Sequence, residues 1–335
     1  MIYKNVELHN VEEVKNQNGG VFLYRFPLDV IDILKDQSAV ASRADVGCEI
    51  RFFTSAKRIW VTLEAIANNA DITVCCGDFV YKNIKLEADR KTTVELCYNT
   101  RFDQFDKDYF TSFEQRFPIN LWRVCINEGY NIILYDVCGL DGAVRPPYEN
   151  EINLKKWLAY GSSITHGYAA FDMANSYVQH AARLLNVDVL CKGMSGACLC
   201  EKEMANYIAN LDWDFATLEL GINMMSFKTK DFKKRAVNLI ETVHRENTDK
   251  KVFVISQYRS FRSDGSNKDY KDKYMDYVTT LEETVNNISS ENVVYISGND
   301  ILTSPTYLSA DFLHPSTFGH VRMADNLYRI LKDRI

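Results

Sequence analysis

The sequence predicts an α/β protein in two parts: a β-sandwich over the first half, and a parallel sheet with helices on both faces over the second. Three observations carry this reading. Between Cys48 and Asp136, short segments rich in β-branched and aromatic residues follow one another, with almost no helical pattern between them. At Ala143 to Glu151 the stretch AVRPPYENE, with its double proline and charges, breaks every periodicity. Beyond it, short apolar runs alternate with amphipathic segments of helical period.

The elements follow in order. GGVFLYRFP reads as an edge strand and DVIDILKD as a short helix. EIRFFT, RIWVTLEAI, DITVCCG, FVYKNIKLEA, TTVELCYN, LWRVCIN and YNIILYDV read as strands. RIWVTLE and TTVELCY alternate apolar and polar residues, as half-buried strands do. Strands so spaced suggest a sandwich of jelly-roll type, placed at residues 1–145. In the second part, residues 151–335, the strands are WLAYG, VDVLCKG, FATLELG, KVFVISQ and NVVYISG. NSYVQHAARLLN, KDFKKRAVNLIETVHREN and YMDYVTTLEETVNNIS lie between them as helices, and STFGHVRMADNLYRILKD closes the chain as another.

Composition narrows the function. Of 335 residues, 46% are hydrophobic and 25% charged, the profile of a soluble globular protein. The net charge of -6 argues against a nucleic-acid or anionic-membrane partner. No run has the length of a membrane span, and the start lacks a basic region followed by an apolar core, so a cytoplasmic location is expected. The nine cysteines are odd in number and several sit in apolar runs, which fits a reducing compartment better than a disulfide framework. Cys198 and Cys200 are the nearest approach to a ligand pair, but no His or second pair stands at zinc-type spacing. No metal and no cofactor are expected.

Three strand ends and one loop hold the chemistry. The first strand of the second part runs into Gly161-Ser162-Ser163. The second ends in KGMSGA, with Ser195 and Gly196, and the third in ELGINMM, with Gly221 and Asn223. The last loop, SADFLHPSTFGH, holds Asp311 and His314. In an open parallel sheet all of these fall at the carboxyl edge, where such folds place their sites. A serine needs a base, and histidine suits neutral pH. The histidine needs a carboxylate to fix its tautomer, and Asp311 stands three residues away. A tetrahedral intermediate needs hydrogen-bond donors, which a glycine N–H and an asparagine amide can offer.

YGSSITHG, GMSGA, LELGIN and DFLHP stand in the order and approximate spacing of the four blocks of the SGNH, or GDSL-type, serine esterases and acylhydrolases. The sequence resembles that superfamily from Trp157 to the C-terminus. The resemblance implies a flavodoxin-like three-layer α/β/α hydrolase domain. It implies Ser163 as nucleophile, His314 as general base and Asp311 as its partner. It implies an oxyanion hole of Ser163, Gly196 and Asn223. A preceding β-sandwich looks like the two-domain carbohydrate acetyl esterases of the same superfamily. Two positions depart from the pattern: the Asp of Gly-Asp-Ser is Ser162, and the Asp after the third-block Asn is Met224. Both departures shift weight towards the carbohydrate-esterase branch. Some members of that branch work with a Ser-His pair alone, so His314 carries more of the expectation than Asp311.

Plainer readings stand beside these. Ser163 could cap the turn that follows it, and Ser162 reads as a turn residue bonding backbone. Ser195 in GMSGA approximates the Gly-x-Ser-x-Gly elbow, but in that fold the acid comes well before the histidine on a separate loop. Asn223 could be a helix cap, and His314-Pro315 a structured turn. His166 and His320 read as rim or helix-face residues. The expected function is a serine esterase removing small acyl groups, acetyl first, from a carbohydrate or similar polar substrate. A lysophospholipase or thioesterase of the same superfamily ranks second, and a non-catalytic glycan-binding protein third. The expected partner is a small-molecule or oligosaccharide ester.

Overall fold

A computed structural model describes residues 1–106, 108–129 and 131–335. Tyr130, which the sequence places at the head of a strand, lies outside them. The chain divides into two compact units. One comprises residues 1–28 and 43–154, the other residues 29–42 and 155–335.

The first unit is built from two antiparallel sheets. One has seven strands, with Glu49–Thr54 between Val6–His9 and Trp122–Glu128, and Ala70–Cys76 next along. The other has five, with Arg58–Ala65 between Ile132–Gly139 and Thr92–Cys97. Their inward residues share one apolar core, from Leu8, Ile50 and Val124 on one sheet to Leu23, Val61 and Leu134 on the other. Arg58–Ala65 alternates exposed and buried along its length, as its sequence alternation requires when only one face is covered. The strand Gly20–Tyr24 departs from expectation. It is not at an edge, because Glu13–Gln17 turns back and pairs with its outer side while Ile132–Gly139 pairs with the inner. Glu13–Gln17 is too polar to read as a strand by itself. Among the buried polar groups of this unit, Glu49 binds Arg51 and Arg123, and the Arg123 guanidinium lies 3.9 Å from the Phe117 ring centre.

The second unit carries a five-stranded parallel sheet: β1 (Lys156–Gly161), β2 (Asp188–Gly193), β3 (Phe215–Leu220), β4 (Lys251–Ser256) and β5 (Val293–Ile296). The spatial order is β2-β1-β3-β4-β5. Every residue of β3 is buried, so both faces of the sheet are covered, which is why the strand sequences read as continuous apolar runs. Helices Tyr177–Leu185 and Thr317–Leu331 pack over a core of Trp157, Ala159, Phe253 and Leu327. Helices Thr229–Glu246 and Lys268–Ile288 pack on each other, and Lys202–Asn210, which the sequence pattern leaves unmarked, joins them. Strand order reverses direction at β1, so the gap between the ends of β1 and β3 is the topological switch point.

Candidate active site

β1 ends at Gly161, and the chain turns sharply into the one-turn helix Ser163–His166. Ser162 caps that turn, its Oγ accepting from the Ile164 N–H at 3.2 Å. The turn lies close against β3: a Cβ on Gly161 would meet Glu219 Oε2 at 2.6 Å, so only glycine fits there. The Glu219 carboxylate in turn accepts from the Ser162 N–H at 2.6 Å and from the Thr165 hydroxyl at 3.3 Å. Glu219 is buried with no cation bound to it among the described residues, and its Oε1 has no hydrogen-bond partner. Burial raises its pKa to about 7, against the lowering pull of the Ser162 and Thr165 donors. A strand-end carboxyl thus holds the backbone immediately before Ser163.

Ser163 Oγ lies 2.9 Å from His314 Nε2. His314 Nδ1 lies 2.6 Å from Asp311 Oδ2. Asp311 Oδ1 accepts from the N–H groups of Leu313 and His314, at 2.9 and 3.0 Å, and lies 2.9 Å from Ser309 Oγ. Burial would raise the Asp311 pKa. The hydrogen bonds from the His314 ring, the two backbone N–H groups and Ser309 outweigh it and hold the carboxyl well below the usual range. An ionised Asp311 fixes the proton of His314 on Nδ1, which leaves Nε2 as an acceptor facing the serine. Such a chain can take the hydroxyl proton as Ser163 attacks a carbonyl.

Ser163, Gly196, Asn223 and His314 line one cavity of about 240 Å³, with Ile164, Ile222, Met225 and Leu313 as apolar walls. Asn223 sits within the short turn Ile222–Met224 rather than at a helix cap. Its Oδ1 accepts from the Cys198 N–H at 3.0 Å. That bond sets the amide orientation and leaves the Nδ2 donors for other work. Gly196, at φ +69°, adopts the left-handed conformation, and the nearest atoms to a side chain there would be those of Gln37, at 3.7 Å.

The rival residues lie elsewhere. Ser195 does not line this cavity, and the partner of His314 Nε2 is Ser163. His166 Nδ1 lies 3.3 Å from the Gly193 carbonyl. His320 is not a helix-face residue: it is fully buried, because Tyr177 and Tyr168 both use it. Its Nδ1 accepts from the Tyr177 N–H and its Nε2 donates to the Tyr168 carbonyl, each at 3.1 Å. Burial pushes its pKa down to about 4. Tyr168 in turn packs its ring 4.5 Å from that of His314, forming a wall beside it. Tyr168, Gln37 and Arg262 stand in no local motif that would single them out. Glu219 does fall within LELGIN, but that block draws attention to its glycine and asparagine alone.

Among the described residues no three His, Cys, Asp or Glu side chains converge as a metal site, all nine cysteines are free thiols, and no helix is long and apolar enough to cross a membrane.

A parallel sheet with this strand order and helices on both faces is the flavodoxin-like three-layer α/β/α arrangement, and Ser163, His314 and Asp311 form a hydrogen-bonded chain at its switch point. The chain belongs to the GDSL-like lipase/acylhydrolase family, whose model matches residues 154–332, and it is an ester-bond hydrolase. No curated protein sequence matches it significantly. Several solved structures share its fold. The salicylyl-acyltransferase SsfX3 from a tetracycline biosynthetic pathway superposes with a TM-score of 0.82 at 17% identity, covering 98% of this chain and 96% of the other. A family two carbohydrate esterase from Clostridium thermocellum in complex with cellohexaose gives 0.64 at 16% identity, covering 86% and 93%. An acetyl xylan esterase from the rumen bacterium Butyrivibrio proteoclasticus gives 0.57 at 14% identity, covering 86% and 90%.

Proposed function

We propose that the chain is a serine esterase that removes small acyl groups, acetyl foremost, from a carbohydrate or similar polar substrate. The observation that carries this reading is the hydrogen-bonded run Ser163–His314–Asp311 opening onto a small cavity. Ser163 Oγ attacks the ester carbonyl while His314 Nε2 takes its proton. The oxyanion meets the backbone N–H groups of Ser163 and Gly196 and the Asn223 amide. His314 then protonates the leaving alcohol, and water repeats the sequence to release the acid and restore Ser163. Asp311 holds the tautomer and balances the imidazolium.

The volume of about 240 Å³ supports a short acyl chain, since pockets that enclose drug-sized ligands run larger, roughly 300–1,000 Å³. It ranks a lysophospholipase or thioesterase acting on long chains second. The carbohydrate esterases among the structural neighbours support a polar acyl donor of the acetylated-sugar class. The acyltransferase among them raises a second fate for the acyl-enzyme, transfer to an alcohol in place of water. Release of 4-nitrophenol from 4-nitrophenyl acetate by the wild type, and its loss in Ser163→Ala, is the first test. Undiminished release by that variant would sink the proposal. Added sugars that raise the release rate and appear acylated would mark transfer.

A further inference from the structure

One side chain in the cavity has no part in bond-making. Arg262 follows β4 and lines the same cavity as Ser163, Asn223 and His314. It is held from two sides. Its Nη1 donates to the Ile222 carbonyl at 2.8 Å, one residue before Asn223. Its own turn is tied to the His314 loop, because the Phe261 N–H donates to the Phe312 carbonyl at 2.7 Å. Ser260 and Ser263 close that turn with a reciprocal capping box. The guanidinium is therefore fixed between the oxyanion turn and the base loop.

It is also uncompensated. Among the described residues Arg262 makes no ion pair with a carboxylate, and its Nε is buried without a hydrogen-bond partner. Arg259, Arg245 and Arg322 of this unit each reach an acidic side chain, while Arg235, which like Arg262 bonds a backbone carbonyl, does not line the Ser163 cavity. Burial draws the Arg262 pKa below the ordinary guanidinium value. A half-buried cation held in place with donors to spare has a use only when an anion arrives.

We infer that Arg262 selects substrates: the ester cleaved at Ser163 carries an anionic group, a carboxylate being the smallest, beside the scissile bond. This rests on the serine-esterase reading above and narrows its substrate class. A guanidinium fork and a carboxylate form the charge-assisted pair that Arg serves better than Lys. The carboxylate can belong to the acyl group or to the alcohol that leaves, and matched substrates separate the two.

The experiment compares kcat/KM, divided by each ester's uncatalysed hydrolysis rate constant, within two pairs that differ in charge and one methyl group. On the acyl side the pair is 4-nitrophenyl hydrogen succinate against its methyl ester. On the alcohol side it is 4-acetoxybenzoate against its methyl ester. The readout is the anionic-to-neutral ratio, which a purely structural role for Arg262 would leave unmoved. The wild type is expected to favour the anion in one pair by about 10- to 100-fold. Arg262→Met should bring that ratio close to or below one, Arg262→Lys should restore part of it, and added salt should lower it in the wild type. The pair that responds tells which side bears the carboxylate. Ratios at or below one in both pairs for the wild type, or a ratio that survives in Arg262→Met, overturn the inference. The test does not depend on the variant folding, since the wild-type ratios suffice. Failure of the wild type on all four esters would instead remove the esterase reading beneath it.

Discussion

Asp311 is the residue on which the branch of the family turns. Its carboxylate accepts from three groups besides the His314 ring and stays ionised far into acid. An Asp311→Asn substitution keeps the shape but offers an amide donor to His314, favouring the wrong tautomer. Turnover of 4-nitrophenyl acetate should fall by about 10⁴-fold. A loss of under tenfold would place the chain with enzymes in which the Ser-His pair suffices. In the proposed mechanism Asn223 acts at another stage. Losing its amide in Asn223→Ala should lower kcat by about 10²- to 10³-fold with little change in KM, because the donor serves the transition state. Ser163, Gly196, Asn223, Asp311 and His314 can be picked out in the sequence because four short blocks stand in the order and spacing of a known superfamily; taken singly, each has a plainer reading as a cap or turn residue. Arg262 and Tyr168 cannot be picked out. Their importance comes from what folding sets beside them, and an arginine or tyrosine in a loop has no spacing that announces it.

At the scale of the element, the turn after β1 leans on a β3 carboxyl. Glu219 has a folded pKa raised to about 7, so the unfolded chain gives up this proton first as pH rises. Between about 4.5 and 7 the folded state binds more protons than the unfolded, and stability falls with rising pH across that window, then levels. The contribution is on the order of 3 kcal/mol. Glu219→Gln keeps an oxygen for the Ser162 N–H and removes the titration. Urea midpoints measured at about pH 5 and pH 8 should therefore fall less with pH in the variant than in the wild type. Comparing the two proteins cancels Asp45, whose pKa burial raises to about 8, and His320, which acts with the opposite sign. Equal pH slopes would mean that Glu219 is already ionised when folded. The strands of the second unit are plain in the sequence because burial on both faces makes them uniformly apolar. The Lys202–Asn210 helix is not, because KEMANYIAN carries a weaker apolar stripe than the equally short Tyr177–Leu185. Glu13–Gln17 is hidden for a different reason: an outer strand needs few apolar residues.

At the scale of the whole molecule, each unit stands on its own interior. In the first, Glu49 is shared by Arg51 and Arg123, and burial's upward pull on its pKa is overcome by those two cations. Glu49→Gln would leave two buried guanidinium groups without their common anion. Unfolding of that unit should become easier by about 3–5 kcal/mol, visible as an earlier urea transition by tryptophan fluorescence. A change under about 1 kcal/mol would mean that water reaches the arginines. The second unit is discontinuous in sequence, taking residues 29–42 from upstream. Within it Ser38, buried, donates to Glu201, and Gln37 flanks Gly196. Synthesis runs from the N-terminus, so this short piece leaves the ribosome well before Glu201 does. It must wait for Glu201 and Gly196 while residues 43–154 of the other unit are made. A gene fragment beginning at Lys155 would encode Ser163, Gly196, Asn223, Asp311 and His314 and still lack a piece of their unit. Such a fragment is expected to be less stable than the same unit in the full chain, and adding residues 29–42 as a separate peptide should restore part of the loss.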